Sequence, residues 1–354
     1  LSALRPGSPA RRPGDTPFRT GRTLAALAAL AALGTVGFTA YKIRSVAREL
    51  VDPPFYRPQS LDRVDATFQD LARGDGADPG GTWEVRPLGG QRVWWLRRRT
   101  PSRGVVLLLH GFGDDRWGTS PAVRWFPDLD GAIFTYLRRD EALREGRAAP
   151  PVTFGARESE EVVAIVHGLE AEGVPRDRIL LMGRSLGASV GLLALAQLER
   201  EGRGPLGGII WEGAPASSRD FAERLVRGPK DRFWHPWLAP FIGRVASRMA
   251  SRKAGYRLDD TDLLARTEGL ALATPALCFL ATQDRLAPPA VQRTLVARFA
   301  RIQTVEVPTW HLHCSEVLGP GYARAIQAAT RSWLRPDTEP IRSSPGRPPR
   351  RQTG

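Results

Sequence analysis

Six short apolar runs punctuate the middle of the chain, at residues 104–110, 132–137, 178–182, 208–211, 275–281 and 302–307. Each is continuous rather than alternating, the pattern of a strand covered on both faces. Between them the apolar spacing changes to a helical period. Residues 158–172 place Val162, Val163, Val166 and Leu169 on one face, 186–200 are rich in Leu and Ala, 288–300 carry Val291, Leu295 and Phe299, and 322–334 carry Ile326 and Trp333. Ahead of these lie two β-rich segments, 83–86 and 92–96, joined through Gly89-Gly90, a hairpin signal. Strands alternating with helices predict a mostly parallel sheet with helices on both faces, preceded by an antiparallel hairpin. On such sheets ligands bind outside the carboxyl ends of the strands, so the residues that follow each apolar run are the candidates for chemistry.

The ends of the chain follow other patterns. Residues 1–22 carry Arg5, Arg11, Arg12, Arg19 and Arg22 among Pro, Gly and Thr, and read as a basic disordered leader. From Thr23 to Tyr41 there is no charge, and Ala and Leu dominate. As a helix this stretch spans roughly 28 Å, close to the thickness of a bilayer's hydrocarbon core. A transmembrane signal anchor is the first reading. The alternatives are a signal peptide cleaved after Ser45-Val46-Ala47, giving a secreted protein, and an Ala-rich soluble helix. Arginines ahead of the span favour an inside N-terminus, placing the rest of the chain on the outer, periplasmic side of an inner membrane. Residues 42–81, with Pro53, Pro54, Pro58 and a Gly/Asp/Pro run, read as a linker, so the folded domain is expected at 82–334. Residues 335–354, rich in Arg, Pro and Ser, read as a disordered tail.

Composition sharpens this division. The formal net charge of +14 would suit an anionic partner. However, the first 60 residues hold nine basic against three acidic residues and the last 20 hold five against two, so the middle has an ordinary balance. Only Lys42, Lys230 and Lys253 are lysines, and the scattered arginines form no basic helix interleaved with aromatics, which argues against nucleic acid as a partner. Two cysteines, Cys278 and Cys314, make neither a disulfide framework nor a zinc spacing.

The run 178–182 leads into Gly183-Arg184-Ser185-Leu186-Gly187, a G-x-S-x-G pattern between a strand and a small-residue helix. A sharp strand-to-helix turn there would push the Ser185 hydroxyl out, with Gly183 and Gly187 supplying room. His110-Gly111-Phe112-Gly113 follows the run 104–109, where the backbone N–H of Phe112, with Gly113 as the alternative, and that of Leu186 could form an oxyanion hole; His110 is expected to order the loop. A serine needs a base, and the base an acid. Asp284 follows the run 275–281 and is the expected acid; its alternative reading is a helix N-cap. The histidines downstream of it are His311 and His313, after the last strand. His313, which directly precedes the turn into the last helix, is the expected base and His311 the alternative. His167, within a helix, and His235, in an aromatic insertion, read as structural.

In this order H-G-F-G, G-x-S-x-G, Asp-x-x-x-Pro and a late histidine, together with Phe154-Gly155 and Glu158, resemble the α/β-hydrolase superfamily, including its serine-aminopeptidase-like (S33) and dienelactone-hydrolase-like bacterial branches. The resemblance covers about 250 residues. It implies an eight-stranded, mostly parallel sheet with a short helical cap at about 214–261, between strands 6 and 7. It also implies ester, thioester or amide hydrolysis through Ser185, His313 and Asp284, esters being favoured over peptides, with no metal or organic cofactor. The partner is then a small-molecule or lipid-like acyl substrate. Trp234, Trp237 and Phe241 in the cap are candidate substrate-binding residues; the alternative is that the cap's apolar stripe packs as core. A serine-aminopeptidase-like amidase and a non-catalytic binding or scaffold protein on the same fold are the other functional readings. Two departures from the family pattern stand out. The glycine usual before the catalytic histidine is replaced by Trp310-His311-Leu312, and residues 138–146 only loosely follow the family's Arg-Gly-x-Gly turn.

Overall fold

The structure is a computed structural model, which describes residues 18–53, 80–227 and 236–334. Eight strands form one sheet: β1 (Gly81–Leu88), β2 (Gln91–Arg98), β3 (Val105–Leu109), β4 (Asp130–Ile133), β5 (Ile179–Arg184), β6 (Gly208–Glu212), β7 (Ala276–Ala281) and β8 (Ile302–Val307). Their spatial order is β1-β2-β4-β3-β5-β6-β7-β8. β2 runs antiparallel to both its neighbours, and every pairing from β4 to β8 is parallel. The expected fold class is therefore the observed one.

The continuous apolar runs have the cause that the sequence suggested. Along β3 and β5, Leu107, Leu109, Ile179 and Leu181 enter one core cluster, while Leu108, Leu180 and Met182 enter the other on the opposite face. Side chains alternate with period two, so a strand covered on both faces must be apolar at every position. β8 differs. At the sheet edge its Gln303, Thr304 and Glu306 face solvent, and its apolar content is correspondingly thin.

Among the described residues seven helices have eight or more residues: α1 (Phe18–Val51), α2 (Glu158–Ala171), α3 (Leu186–Arg200), α4 (Ser218–Arg227), α5 (Ala239–Ala254), α6 (Pro289–Val296) and α7 (Pro320–Trp333). α3 lies under the centre of the sheet and buries nearly its whole length, including Val190, Leu192, Leu193 and Leu195. The sheet order reverses around β3, whose neighbours are β4 on one side and β5 on the other. Chain leaving β3 and chain leaving β5 therefore diverge, opening a crevice at their carboxyl ends.

α1 departs from the linker reading. It continues without interruption through residues 42–51, while residues 54–79 lie outside the described ones. Val46, Ala47, Leu50 and Val51 are buried, with Ile43 packed beside them. Ile43, Val46, Ala47 and Leu50 stand at i, i+3, i+4 and i+7, a stripe that makes one face of a helix apolar. That face lies along α5 and touches α4. α5 accommodates close neighbours because its buried face is built of small residues, Ala239, Gly243, Ala246, Ala250 and Ala254. Beyond Val51 the chain is tied down by the Val152 N–H donating to the Val51 carbonyl (2.9 Å) and by Arg139 bridging to Asp52 (3.2 Å). The earlier part of the helix, with Leu24, Leu27, Leu30, Leu33 and Val36, is exposed.

Because Leu50 is fully buried at this junction, Leu50→Ala is expected to lower the unfolding free energy by about 2–5 kcal/mol. Urea unfolding of the full chain in detergent micelles measures it; Leu27→Ala, in the part of α1 that packs on no other described element, should leave the midpoint unchanged.

Candidate active site

The turn at the end of β5 is closed by geometry that few sequences allow. Ser185 adopts φ 52° and ψ −125°, a backbone conformation costly for a side-chain-bearing residue and held only by its surroundings. A Cβ on Gly183 would stand 2.2 Å from the Gly187 carbonyl oxygen, and one on Gly187 would stand 2.1 Å from the Leu109 carbonyl oxygen. The two glycines let the strand, the turn and α3 close on one another and on β3. The Ser185 N–H donates to the Glu212 carbonyl of β6 (2.9 Å), which fixes the turn to the next strand.

Around the Ser185 hydroxyl the structure brings together a histidine and an aspartate. His311 Nε2 lies 3.0 Å from Ser185 Oγ, and His311 Nδ1 lies 2.7 Å from Asp284 Oδ2. With the Asp284 carboxylate facing Nδ1, the ring carries its proton there and leaves the Nε2 lone pair for the serine O–H. Asp284 is buried, and its other oxygen accepts the N–H groups of Leu286 (2.8 Å) and Ala287 (2.9 Å). One oxygen of Asp284 thus faces the histidine and the other caps a turn, while the N-cap position of the following helix Pro289–Val296 is Pro288 and not Asp284.

The histidine in contact is His311 and not the expected His313. His313 is half-exposed and its Nδ1 pairs with Glu316 (2.7 Å), one turn along the short helix Cys314–Leu318. Between the two histidines Leu312 takes φ 63°, a left-handed bend that sends their side chains to different sides. Gly213, which no sequence argument singled out, supplies room for the ring. Its φ is 64°, and a Cβ there would lie 2.9 Å from His311 Nδ1 and 3.1 Å from Asp284 Oδ2.

Residues 110–113 lie against the serine turn: a Cβ on Gly111 would be 3.6 Å from the Arg184 carbonyl oxygen and 3.8 Å from Ser185 Cβ. His110 is buried and ties this loop to the turn after β4. Its Nδ1 faces the Gly111 carbonyl (3.0 Å), its Nε2 accepts the Tyr136 N–H (3.2 Å), and its ring lies 3.9 Å from that of Tyr136. Burial pushes its pKa down to about 4. The Phe112 ring packs on Phe154 (5.3 Å) and Phe221 (5.1 Å), and Gly113 takes φ 73°. Leu186 begins α3, so its N–H belongs to the electropositive first turn of a 15-residue helix. Glu158, noted for its place after Phe154-Gly155, is buried and accepts the N–H groups of Thr153 (2.7 Å) and Gly155 (2.8 Å).

A cavity of about 300 Å³ is lined by Leu108, Gly111, Asp114, Trp125, Met182, Arg184 and Leu312; it adjoins the chain next to Ser185 and His311, but Ser185, His311 and Asp284 do not line it. Burial raises the Asp114 carboxyl to about 6. Trp237 and Phe241 are exposed and do not line this cavity, and Trp234 and His235 lie outside the described residues. The residues 138–146 that departed from the family turn contain Asp140, which forms a buried ion pair with Arg116. Arg116 is itself sandwiched between the rings of Trp94 (3.6 Å) and Trp117 (4.9 Å). Among the described residues no cluster of His, Cys, Asp and Glu could hold a metal ion.

Gly213→Ala is expected to displace the His311 ring while leaving the fold intact, read as loss of the downfield Nδ1 proton resonance of the Asp284–His311 hydrogen bond. A second expectation follows from His110. Its folded-state pKa of about 4 lies below the ordinary 6.5, so between those values the unfolded chain binds the extra proton. This contribution to stability is fully present above pH 6.5 and is lost as the pH falls toward 4, by up to about 3 kcal/mol. Urea unfolding at pH 7 and pH 4.5 should show it in the parent and not in His110→Gln.

Compared with known proteins, the sequence matches no family model and no curated protein. Solved structures do match. The Pyrococcus furiosus esterase Pf2001 aligns with a TM-score of 0.53 at 16% identity, over 73% of this chain and 93% of that one. A bacterial heroin esterase aligns at 0.53 and 19% identity, over 78% and 92%, and an esterase/lipase from an uncultured bacterium at 0.50 and 18%, over 83% and 97%. These likenesses, joined to the strand order above, identify the architecture: the chain has the α/β-hydrolase fold.

Proposed function

We propose that the protein is a serine hydrolase that cleaves carboxylic esters through an acyl-enzyme, with Ser185 as nucleophile, His311 as general base and acid, and Asp284 as the group that orients His311. The single observation that carries this reading is the continuous chain of contacts from Ser185 Oγ through the two His311 nitrogens to the Asp284 carboxylate, 3.0 and 2.7 Å long. Ser185 Oγ attacks the substrate carbonyl carbon as its proton passes to His311 Nε2. The tetrahedral oxyanion is met by the backbone N–H groups of Phe112 and Leu186. Collapse breaks the bond to the leaving oxygen, which takes the proton from His311. Water then repeats the sequence at the acyl carbonyl, returning the proton to Ser185. The esterases among the structural neighbours favour an ester over an amide substrate.

The same reading includes membrane attachment through α1. Residues Thr23–Val51 form a helix long and apolar enough to cross a bilayer, by length and composition. Cleavage after Ala47 would cut a continuous helix and remove Val46 and Ala47 from the packed junction with α4 and α5. That favours a retained single-pass anchor over a secreted form. The arginines ahead of the span favour the catalytic domain on the outer side of an inner membrane.

A fluorophosphonate probe is expected to label the parent chain at Ser185, and Ser185→Ala to abolish both labelling and turnover of a short-chain p-nitrophenyl ester. His311→Ala should lose about 10⁴-fold in kcat, while His313→Ala should remain close to the parent. Full turnover in Ser185→Ala, or an inactive His313→Ala beside an active His311→Ala, would overturn the assignment.

A further inference from the structure

We propose that Arg184 and Glu212 are positioning residues that hold the His311 loop in register with the serine turn; this rests on the hydrolase reading above. Glu212, the last residue of β6, has no exposed surface. Its Oε2 accepts Arg184 Nε (3.0 Å) and the Tyr322 hydroxyl (3.1 Å), and its Oε1 accepts the Cys314 N–H (2.9 Å). Arg184, the second residue of the G-x-S-x-G turn, also donates through a terminal nitrogen to the Leu312 carbonyl. The ion pair thus grips the histidine loop at two backbone atoms, the Leu312 C=O and the Cys314 N–H.

Those two points flank His313, and the first lies on Leu312 itself, whose φ of 63° is unfavourable for leucine without external restraint. Holding Leu312 in that bend directs His311 toward Ser185 and Asp284. On its main-chain side Glu212 accepts the Ser185 N–H (2.9 Å), and Gly213 beside it makes room for the His311 ring. One residue therefore sets the nucleophile with its backbone and the histidine loop with its side chain. Other groups sufficient for stability alone would be apolar. A buried ion pair gains little over well-packed hydrophobic residues of the same volume, whereas its directional hydrogen bonds fix geometry. Misplacing a catalytic group by about 1 Å can cost on the order of 10² in rate.

The test uses the full chain in detergent micelles, with Arg184→Met, Arg184→Lys and Glu212→Gln. The expected result is a fall in kcat of about 10²-fold in Arg184→Met and Glu212→Gln with little change in KM. The downfield Nδ1 proton resonance of His311 should be lost or broadened at unchanged helix content. Arg184→Lys, which can keep only one of the two donor contacts, should be intermediate. Values of kcat within about twofold of the parent in these variants, or a His311 resonance that stays in place, would overturn the proposal. Arg184 is a third exposed, so its variant decides the matter if Glu212→Gln does not fold. Failure of the hydrolase reading shows separately, as a parent chain that the fluorophosphonate does not label; the resonance then still reports on the clamp.

Discussion

The site depends on the close approach of three backbones at Ser185. Gly183, Gly187 and the Leu109 carbonyl lie within distances that admit no side chain, and the serine N–H is anchored on β6. A turn this tight can exist only where β3, β5 and β6 are already adjacent and parallel. In that sense the geometry of the candidate site is a property of the sheet, and the strained conformation of Ser185 persists because the surrounding core over-determines it. The adjacency of β3 and β5 completes the arrangement by bringing the 110–113 loop against the serine turn at one end of the sheet.

From this centre the restraint passes outward through polar groups. Buried charges are costly unless paired, and several of those near the site are paired with a backbone group or an opposite charge that bears on a loop. Glu212 serves the histidine loop, Glu158 the loop before α2, and the Arg116–Asp140 pair the turn after β4. The loops carry the candidate site residues, and the buried charges give them the definition that loops otherwise lack. α1 adds a second kind of restraint. Its last turns are packed against α4 and α5 and bonded to the chain near Val152, so the N-terminal helix and the two helices that follow β6 form one continuous packing unit.

The legibility of these features follows the range of the interactions behind them. Strands β3, β5, β6 and β7 were visible because burial on both faces demands unbroken apolar runs. The serine turn was visible because its glycines are required by local closure. The histidine was not. His311 and His313 are two residues apart, and what separates them is the left-handed bend at Leu312, imposed by Arg184 and Glu212 from strands far away in sequence. The continuation of α1 was present as a stripe at Ile43, Val46, Ala47 and Leu50, but nearby prolines suggested a linker, and only the partner face on α5 shows why the stripe is there.

The sequence by itself determined the order of strands and helices, the position of the serine turn, the aspartate after β7 and the separation of a domain of ordinary charge from basic ends. Those are consequences of periodicity and of local steric demand, which act within a few residues. The tertiary structure alone decided which histidine faces the serine, how Glu212 joins two loops, and where the last turns of α1 rest. Each of these is a contact between residues distant along the chain, where no local spacing records the partner.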